Sequence, residues 1–561
     1  MKNWGIVTGL FCLCTSIHAQ QLTWGHAMGG ASADNLSRIA MDADHNVFAA
    51  GTYTAPTQSS LGALPAYGFQ DVVVNKYSPT GTLLWQIGIG GANTDLVSAI
   101  ACNSEGDIWI SGRFQGSIDL DPSDSTEIIG SDPSGSLDGY LAKYDGETGQ
   151  LLDFRNITSG GTIDIRSIRI DVFDDIFIAG QFTNTVDFDF GGGSYSKTSN
   201  VFSGDCFVGR YYSDLQLVWM NVIGSQTPAI DYIGDMCLSA DGYVYCTGLL
   251  GGTADINPGV GVTNLTAAVD AFLVKYSQND GTLSWGFLLG GSSLDLGTSV
   301  MMTEDNQIVI AGSMNSTSMD VDPGVAQTTL TKTGSNASPF LARYTNSAVL
   351  VSAVLMQGSQ TLTATINRIT QGQSNSILIT GSYKGDVDIE LGDSSFNISS
   401  GDSANSYILR CASDWSLIQY FQQGGNGDQT GYDLIGEGTN VFLVGQMSNT
   451  LHPEFPANTN LIPRNGNGLD GFVLKYNFVP DALSLNEQQN QDFHVFPNPT
   501  SGLINIGTTN IQSCSIIDVT GRIQKLEVLN NQVDIETYPS GIYTLILENN
   551  SGISFKRIVR N

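Results

Sequence analysis

The sequence predicts an all-β protein whose larger part repeats one four-stranded unit seven times, and two recurring phrases predict it. The first phrase, VFAAGTY at Val47–Tyr53, returns six times, and its glycine marks each repeat: Gly51, Gly112, Gly180, Gly248, Gly312, Gly381 and Gly445. The second phrase, DVVVNKY at Asp71–Tyr77, follows with six copies of its own. Successive marker glycines are 61 to 69 residues apart. Such a period indicates units that bury their apolar faces only against their neighbours.

Each repeat reads as four short strands, which the second repeat shows in order. Residues 83–88 form an outer strand and residues 98–102 an inner strand, and the two phrases IWISGRF and DGYLAKY follow. These segments alternate or are wholly apolar, and clusters of Gly, Asn, Asp and Ser separate them. Four antiparallel strands repeated around an axis make a propeller blade, so the sequence predicts a seven-bladed β-propeller.

The first strand predicts how the ring closes. Gln21–Met28 reads as an outer strand that precedes any inner strand, whereas the seventh repeat ends after DGFVLKY without an outer strand. We expect the N-terminal strand to complete the last blade, because this removes the free sheet edge of an open ring.

Tryptophans recur on the outer strands, at Trp24, Trp85, Trp219 and Trp285. Stacking on a cofactor is one interpretation. Large rings at equivalent places in successive repeats are more typical of packing between neighbouring blades.

The repeats resemble the secreted bacterial β-propeller repeats called SBBP repeats. The matching residues are Gly29, Gly30, Asp34, Ile39, Asp42, Val47, Gly51, Asp71 and Tyr77 through Trp85. The resemblance covers about residues 21–477. It implies the propeller fold and does not imply a particular function.

Residues 1–19 read as a secretory signal peptide. Lys2 supplies the basic start, residues 6–14 the apolar stretch, and Ile17, His18 and Ala19 the cleavage site. No stretch reaches the roughly 18 apolar residues of a membrane-spanning helix, so no transmembrane segment is expected. The propeller is then predicted over residues 20–478, with a polar linker over residues 479–493.

The composition favours a turn-rich all-β protein. Charged residues make up only 14% of the chain and Gly numbers 65. The formal net charge of -31 repels nucleic acid and anionic lipid, so no nucleic-acid partner is expected. Cys237 and Cys246 flank one turn, which leaves two alternatives, a disulfide or two buried thiols on adjacent strands.

The C-terminal segment, residues 494–561, reads as a separate set of short strands and predicts a small β-sandwich. Its motif residues are Pro497, Pro499, Gly502, Asp518, Gly521, Arg522, Gly541, Tyr543 and Lys556. In this order they closely resemble the type A C-terminal sorting domain of the type IX secretion system of Bacteroidetes. The resemblance implies the type IX machinery as a partner, passage through the periplasm, removal of the domain, and release or attachment at the outer cell surface. A carbohydrate-binding sandwich is the alternative, but the segment lacks an aromatic platform.

The connections between the second and third strands are the long ones, at about 17 to 23 residues. Since all of them leave the same face of the disk, we expect that face to bind the ligand. Acids recur there 17 residues before the marker glycine, at Asp34, Asp95, Asp231, Asp295 and Asp428. They form either a carboxylate ring near the channel or acceptors for backbone N–H groups in turns.

A second acidic phrase recurs inside four long loops and suggests calcium. Its paired oxygen donors are Asp187 with Asp189, Asp255 with Asn257, Asp320 with Asp322, and Asp388 with Glu390. Oxygen donors two residues apart before a tight turn suit Ca²⁺, although each loop offers only two or three ligands. A hairpin extension with acids facing water and the intervening Ile, Phe or Val facing inward explains the alternation equally well.

The loops of the first and seventh repeats depart from this pattern. They carry Tyr67, Phe69, His452, Phe455 and Arg464, and the two repeats adjoin across the predicted closure. One hypothesis is a ligand pocket in this sector, and the other is ordinary drift of terminal repeats.

The sequence favours a non-enzymatic role, the binding of an extracellular glycan, protein or surface through the long-loop face. It contains no HExxH motif, no GxSxG nucleophile elbow and no phosphate-binding glycine loop. The alternative is a polysaccharide hydrolase or lyase with carboxylates in the channel. Catalysis by paired acids needs two distinct environments, whereas a near-symmetric ring repeats one environment.

Overall fold

The computed structural model separates the chain into two compact units, Met1–Val479 and Pro480–Asn561. It describes residues 21–54, 56–59, 61–123, 125–133, 135–191, 193–200, 204–225, 231–257, 259, 261–325, 327–359, 362–392, 394–453, 460–465, 468–478, 495–496, 500–506, 511–517, 523–529, 531–539, 541–549 and 552–560. The predicted signal peptide and linker lie outside these residues. Within them no helix is long and apolar enough to cross a membrane.

Within the described residues the first unit is all-β and forms seven antiparallel sheets of four or five strands, numbered 1 to 7 along the chain, and five two-stranded hairpins. The first strands of the sheets are Asn35–Met41, Asp95–Cys102, Ile163–Ile170, Tyr232–Leu238, Asp295–Met302, Thr363–Gln371 and Gln429–Glu437. The second strands are Val47–Tyr53, Ile108–Phe114, Ile176–Phe182, Tyr243–Asp255, Gln307–Met314, Ile377–Lys384 and Asn440–Met447. The third strands are Asp71–Tyr77, Asp138–Tyr144, Asp205–Tyr211, Asn264–Ser277, Ser338–Thr345, Asn405–Cys411 and Asp470–Asn477. The fourth strands are Leu83–Ile89, Leu151–Ile157, Leu217–Ile223, Leu283–Leu289, Leu350–Leu355 and Leu417–Gly425 in sheets 1 to 6, and Gln21–Met28 in sheet 7.

The N-terminal strand therefore belongs to the last sheet. Gln21–Met28 pairs antiparallel with Asp470–Asn477, with Gly25 opposite Leu474 and Met28 opposite Gly471. The pairing occupies the edge of sheet 7 that would otherwise present unpaired backbone groups.

Apolar packing connects each sheet to the next. Seven clusters of buried side chains each draw residues from two neighbouring sheets. One of them joins Phe442 and Val473 of sheet 7 to Val47 and Val73 of sheet 1. The first unit is thus a β-propeller whose core lies between sheets.

The long loops form short hairpins. These pair Thr57–Ser59 with Gly62–Leu64, Ser117–Asp119 with Ile128–Gly130, Thr185–Asp187 with Ser196–Thr198, Ser318–Asp320 with Thr329–Thr331, and Asp386–Asp388 with Asn397–Ser399. In sheet 4 the long second and third strands continue into the loop. In sheet 7, Leu451–His452 pairs instead with the fourth strand of sheet 6.

The hairpins fill the space between neighbouring sheets. Asp119 bridges to Gly90 at the end of the preceding sheet, while Ile118 and Leu120 are fully buried in the apolar cluster shared by sheets 1 and 2. The same bridge recurs as Ser225 with Ala254, Gly290 with Asp320, and Gly358 with Val387. Because sheets arranged around an axis diverge outwards, these insertions supply the apolar volume that the gap requires. Part of each long loop is therefore core.

The outer tryptophans pack between sheets. Each indole Nε1 donates to a carbonyl in the turn between the third and fourth strands of the next sheet. The pairs are Trp24 with Pro79 (3.1 Å), Trp85 with Gly146 (3.1 Å), Trp219 with Gln278 (2.8 Å) and Trp285 with Asn346 (3.2 Å). These bonds support the packing interpretation, and Trp24 extends the series across the junction of sheets 7 and 1.

The described residues of the second unit form two antiparallel sheets. One consists of Val495–Phe496, Leu503–Ile506 and Gln532–Asp534, and the other of Ile523–Leu526, Ile511–Ile517, Gly541–Asn549 and Gly552–Arg560. A single apolar cluster includes Ile504 and Val533 from the first sheet and Ile516, Leu545 and Ile558 from the second.

Candidate functional site

The loop of sheet 1 presents two aromatic side chains on a fixed backbone. Tyr67 is 49% exposed and Phe69 is 76% exposed. The Tyr67 N–H donates to the Asp71 carboxylate (2.7 Å), and the Phe69 N–H donates to the Asn93 carbonyl in the loop that leads into sheet 2 (3.1 Å). Between them, Gly68 lies so close to Gly91 that a Cβ would come within 2.1 Å of the Gly91 carbonyl oxygen. The rings are thus exposed while their backbone is held.

The loop of sheet 7 contacts sheet 6 through His452, whereas Arg464 bonds within the loop itself. His452 lies in the short strand that pairs with Gly424 of sheet 6. Arg464 donates to the carbonyls of Ser448 (2.8 Å) and Gly468 (3.2 Å). Phe455 lies outside the described residues. A single pocket formed by these residues with Tyr67 and Phe69 stays a prediction.

The recurring acids before the first strands organise turns. The Asp34 carboxylate accepts hydrogen bonds from the N–H groups of Gly30 (2.7 Å) and Thr54 (2.9 Å). Asp95, Asp231, Asp295 and Asp428 likewise accept bonds from backbone N–H groups. The geometry favours the turn interpretation over a carboxylate ring around the channel.

The acidic phrases form the ends of the hairpins. The first acid of each phrase accepts two backbone N–H bonds, as Asp187 does from Asp189 (3.1 Å) and Tyr195 (2.7 Å). The residue after it is buried, and for Phe188, Ile256 and Val321 its carbonyl accepts the hydroxyl of a third-strand tyrosine. Asp255, Asp320 and Asp388 repeat the two N–H bonds.

The geometry therefore agrees with the hairpin extension. In the described part of the chain no three His, Cys, Asp or Glu side chains converge as a metal site would require. Calcium at Asp187, Asp189, Asp255, Asn257, Asp320, Asp322, Asp388 and Glu390 stays a prediction.

Cys237 and Cys246 are both free and buried. Cys237 is opposite Tyr245, and Cys246 is opposite Met236, so the two thiols point to opposite faces of sheet 4. Cys246 packs between sheets 3 and 4, and Cys237 between sheets 4 and 5. This geometry favours the two-thiol alternative.

The central channel contains a feature that the sequence reasoning missed. Every first strand carries a β-bulge at the same place, where the register shifts between Leu36 and Arg38 in sheet 1 and at the equivalent residues in sheets 2 to 7. A bulge inserts an unpaired residue and re-aims neighbouring side chains. The bulged pairs are Ser37–Arg38, Ser98–Ala99, Arg166–Ser167, Gly234–Asp235, Thr298–Ser299, Asn367–Arg368 and Tyr432–Asp433.

These seven bulges surround one cavity of about 260 Å³. Its charged lining residues are Arg38, Arg166, Arg169, Arg368, Asp235 and Asp433, and Tyr232 and Tyr432 add aromatic rings. The seven bulged pairs differ in chemistry, so the channel lacks the symmetry of the surrounding sheets.

Asp235 is the centre of an ion-pair network across the channel. Its carboxylate binds Arg169 of sheet 3 at 2.7 Å and Arg368 of sheet 6 at 2.8 Å, and it accepts the Ser299 hydroxyl of sheet 5 at 3.0 Å. Burial opposes ionisation of Asp235, but the attraction of Arg368 and Arg169 outweighs it and lowers the pKa of this carboxyl below its usual value. Arg368 also contacts Asp433 of sheet 7 at 3.3 Å.

Arg38 and Arg166 lie on the other side of the network. Arg166 contacts Asp164 at 3.5 Å, and its guanidinium lies 4.1 Å from the centre of the Tyr232 ring. Arg38 donates to the carbonyls of Ser98 and Ser37 and forms no ion pair within the described residues. Burial lowers the pKa of Arg38; the negative charge of Asp433 opposes this, and the positive charges of Arg166 and Arg368 add to the lowering.

A sequence signal for this site existed. The second residue of the bulge stands 13 residues before the marker glycine in six repeats, where it is Arg38, Ala99, Ser167, Asp235, Ser299 or Arg368. Alignment on the glycines would have shown charged residues at a position where the fold itself requires no particular side chain.

Most of the predicted sorting residues lie outside the described residues, namely Pro497, Pro499, Asp518, Gly521 and Arg522. The Tyr543 hydroxyl donates to the Pro539 carbonyl at 2.8 Å, and Gly502 has a φ of +158°. Gly541 and Lys556 lie in the two last strands, where Gly541 pairs with Arg560 and Lys556 with Leu545.

Comparison with known proteins identifies the second unit. Residues 494–561 match the family described as secretion system C-terminal sorting domain. Over 547 residues the chain is 21% identical to an uncharacterized WD repeat-containing protein of Acanthamoeba polyphaga mimivirus, covering 83% of this chain and 39% of that relative. The chain thus spans about two fifths of the curated relative that it matches.

Two solved propellers are similar to the first unit. The RRP9 WD40 repeats share 9% identity at a TM-score of 0.40, over 82% of this chain and 100% of that one. Chaetomium thermophilum Sqt1 shares 9% identity at a TM-score of 0.37, over 83% of this chain and 99% of that one. Similarity at this level says nothing about ligands. The sorting-domain match, together with the chain's own sheets, identifies a β-propeller followed by a type IX secretion C-terminal sorting domain.

Proposed function

We propose that the protein is a secreted or outer-surface binding protein that recognises an extracellular glycan or protein through the long-loop side of its propeller. The observation that carries this proposal is the pair of exposed aromatic side chains, Tyr67 and Phe69, on a hydrogen-bonded loop. Exposed aromatic rings on a fixed backbone supply contact area at a low entropic cost, and they are common energetic anchors of interfaces.

The channel carboxylates support a binding role over the alternative, a hydrolase. A glycosidase needs one carboxylic acid with a raised pKa as proton donor and a second carboxylate in a different state. Asp235 instead has a lowered pKa, because two arginines hold its charge, and Asp433 also contacts an arginine. Both carboxylates are thus engaged in ion pairs.

We further infer that the seven sheets are seven blades of one closed ring and that Gln21–Met28 closes it. The pairing with Asp470–Asn477 and the apolar cluster shared by sheets 7 and 1 support this arrangement. The single apolar cluster of the second unit supports a small β-sandwich there.

Binding arrays test the proposed surface. Glycan and protein arrays probed with residues 20–561 should give discrete ligands, and Tyr67→Ala with Phe69→Ala should weaken the tightest of them by at least about tenfold. The matched control is Phe173→Ala, because Phe173 is 77% exposed in the turn between the first and second strands, at the opposite end of sheet 3. Equal binding by the double variant and the unchanged protein would contradict the proposal.

Export is tested by truncation. A chain that lacks residues 493–561 should fold its propeller and accumulate in the periplasm, because the sorting signal is lost. Cell fractionation compares it with the full chain. Equal amounts of both forms on the surface or in the medium would refute the role assigned to the second unit.

A further inference from the structure

The central channel is positively charged in a strongly acidic chain. Four arginines and two aspartates line its cavity, an excess of two positive charges, whereas the whole chain has a formal net charge of -31. Positive side chains are scarce in this protein, which has only 23 Lys and Arg residues against 54 Asp and Glu. The arginines at the bulges therefore make the channel locally positive in a chain that is negatively charged as a whole.

The aspartates do not compensate all four arginines. Asp235 forms ion pairs with both Arg169 and Arg368, and Asp433 forms a second ion pair with Arg368. Asp164 is shared by Arg166 and Arg113, at 3.5 Å and 3.6 Å. Arg38 donates to two carbonyls and forms no direct ion pair within the described residues, and the charges of Asp433 and Asp164 act on it only from a greater distance. The surplus positive charge thus lies at Arg38 and Arg166.

Such a surplus favours an anion. A charge removed from bulk water costs several kcal/mol unless an opposite charge and hydrogen bonds compensate it. Carboxylate and sulfate oxygens accept charge-assisted hydrogen bonds from the planar guanidinium fork. Arginine also keeps its charge at any physiological pH, so the site remains cationic.

The dimensions and charge restrict the anion to a small molecule. The cavity of about 260 Å³ lies just below the roughly 300–1,000 Å³ of pockets for drug-sized ligands. A polyanion such as nucleic acid would meet the acidic surface around the channel. The bulges lie near the middle of each first strand, so the cavity is at mid-height of the sheets.

We propose that the channel binds one small carboxylate or sulfate anion between Arg38 and Arg166. This site is separate from the long-loop surface of the proposed function and is independent of it. Arg169 and Arg368, held by Asp235, border the same cavity and keep their guanidinium groups in position.

Calorimetric titration tests the site. Residues 20–561 are titrated with sodium sulfate and with sodium glucuronate at constant ionic strength, and with glucose as the neutral counterpart of glucuronate. We expect saturable binding of at least one anion and none of glucose. Sulfate alone would indicate an inorganic anion, and tighter binding of glucuronate would indicate a carboxylate on a larger molecule.

Variants locate the binding. Arg38→Gln and Arg166→Gln should each weaken the bound anion by about tenfold or more, the loss expected for one charge-assisted contact. Arg38→Lys retains the charge without the fork and should give an intermediate affinity, which also controls for misfolding. Arg155→Gln is the matched control, because Arg155 lies on the fourth strand of sheet 2, paired with Asp153, and its loss changes the net charge equally.

Two results would overturn the proposal: no binding of sulfate or glucuronate by the unchanged protein, or an equal loss in Arg155→Gln. The double variant Tyr67→Ala with Phe69→Ala should leave the anion affinity unchanged. The proposal for the channel site can therefore be refuted independently of the proposal for the long-loop surface.

Discussion

The outer interfaces and the central channel are built by the same seven repeats, yet they differ in how strictly they repeat. Between sheets, the same contact recurs, an indole that donates to a carbonyl of the next sheet. In the channel, the equivalent bulges carry seven different pairs of residues, from Ser98–Ala99 to Asn367–Arg368. Packing repeats this contact at four of the seven junctions between sheets, whereas the bulged side chains face a cavity and differ in every sheet.

Variation inside a repeat architecture is thus the signal of a site. A side chain that the fold requires returns at each repeat, and one that it does not require returns only where something else needs it. Four predictions test this contrast between the repeated interfaces and the channel.

The largest effect is expected from loss of the closing strand. Deletion of Gln21–Met28 removes Trp24 and exposes Asp470–Asn477, so the whole propeller should lose much of its stability, out of the roughly 5–15 kcal/mol typical of domains. The melting temperature in thermal unfolding measures this loss of stability. A synthetic peptide of residues 21–28 should restore the melting temperature, and the same peptide with Trp24→Ala should restore less of it. An unchanged melting temperature after the deletion would show that the strand does not close the ring.

A single interface residue should cost more than a channel residue. Trp219 is 8% exposed, bonds to Gln278 and lies against Phe177, so Trp219→Ala should destabilise by about 3–5 kcal/mol. Arg38→Gln should cost less than about 1 kcal/mol, because the amide still donates to a carbonyl. Urea unfolding of both variants compares them directly, and similar losses would refute the division between packing and site.

The pH dependence should separate the repeated acids from the channel acid. Burial raises the pKa of Asp95, Asp205 and Asp470 to about 7, so their contribution to stability is present below pH 3.8 and lost as the pH rises through 7. Asp235 has a lowered pKa, so its contribution is lost only as the pH falls below its usual pKa of 3.8.

The melting temperature should therefore be higher at pH 5 than at pH 8. Asp95→Asn should flatten this slope, since one carboxyl with a pKa of about 7 accounts for at most about 3 kcal/mol between pH 5 and pH 8. Asp235→Asn should leave the slope between pH 5 and pH 8 unaltered. A steeper slope in Asp95→Asn would contradict the assignment.

The smallest effect concerns the hairpin anchors. The Tyr344 hydroxyl donates to the Val321 carbonyl at 2.7 Å in a fully buried position, so Tyr344→Phe should destabilise by about 1 kcal/mol. Tyr276→Phe should cost the same, because the contact with Ile256 is equivalent. Tyr212→Phe is the control, since that tyrosine is 48% exposed. Unequal losses of stability in Tyr344→Phe and Tyr276→Phe would show that the two contacts differ in energy although their geometry is equivalent.

The all-β propeller was predictable from sequence because repetition makes each strand visible seven times. Val47–Tyr53 and Asp71–Tyr77 are strands over the bounds that the phrases predict. The burial of Ile118 and Leu120 was harder to predict for two reasons. The long loops differ in length, so their alternation of apolar and polar residues does not align between repeats. The hairpin also packs against the preceding sheet, which the sequence does not indicate. The sorting domain was recognised from its motifs in order.

The channel was missed because its residues are far apart in sequence and differ from repeat to repeat. Arg38 of sheet 1 and Arg368 of sheet 6 line one cavity, and the Asp433 carboxylate of sheet 7 accepts the N–H of Ile39 of sheet 1 at 3.3 Å. The recurring acids Asp34 and Asp95 organise turns, whereas the channel arginines occur irregularly along the sequence.

The strand pairing between Gln21–Met28 and Asp470–Asn477 has a consequence for the order of events during export. The two strands are separated by more than four hundred residues, so the earliest segment to emerge must wait for one of the last. At about 5–20 residues per second of synthesis, that delay is on the order of a minute. Throughout it, an unpaired strand is available to any other chain with an open edge. The nascent protein therefore needs protection from misassociation at its first segment, until the last sheet has formed.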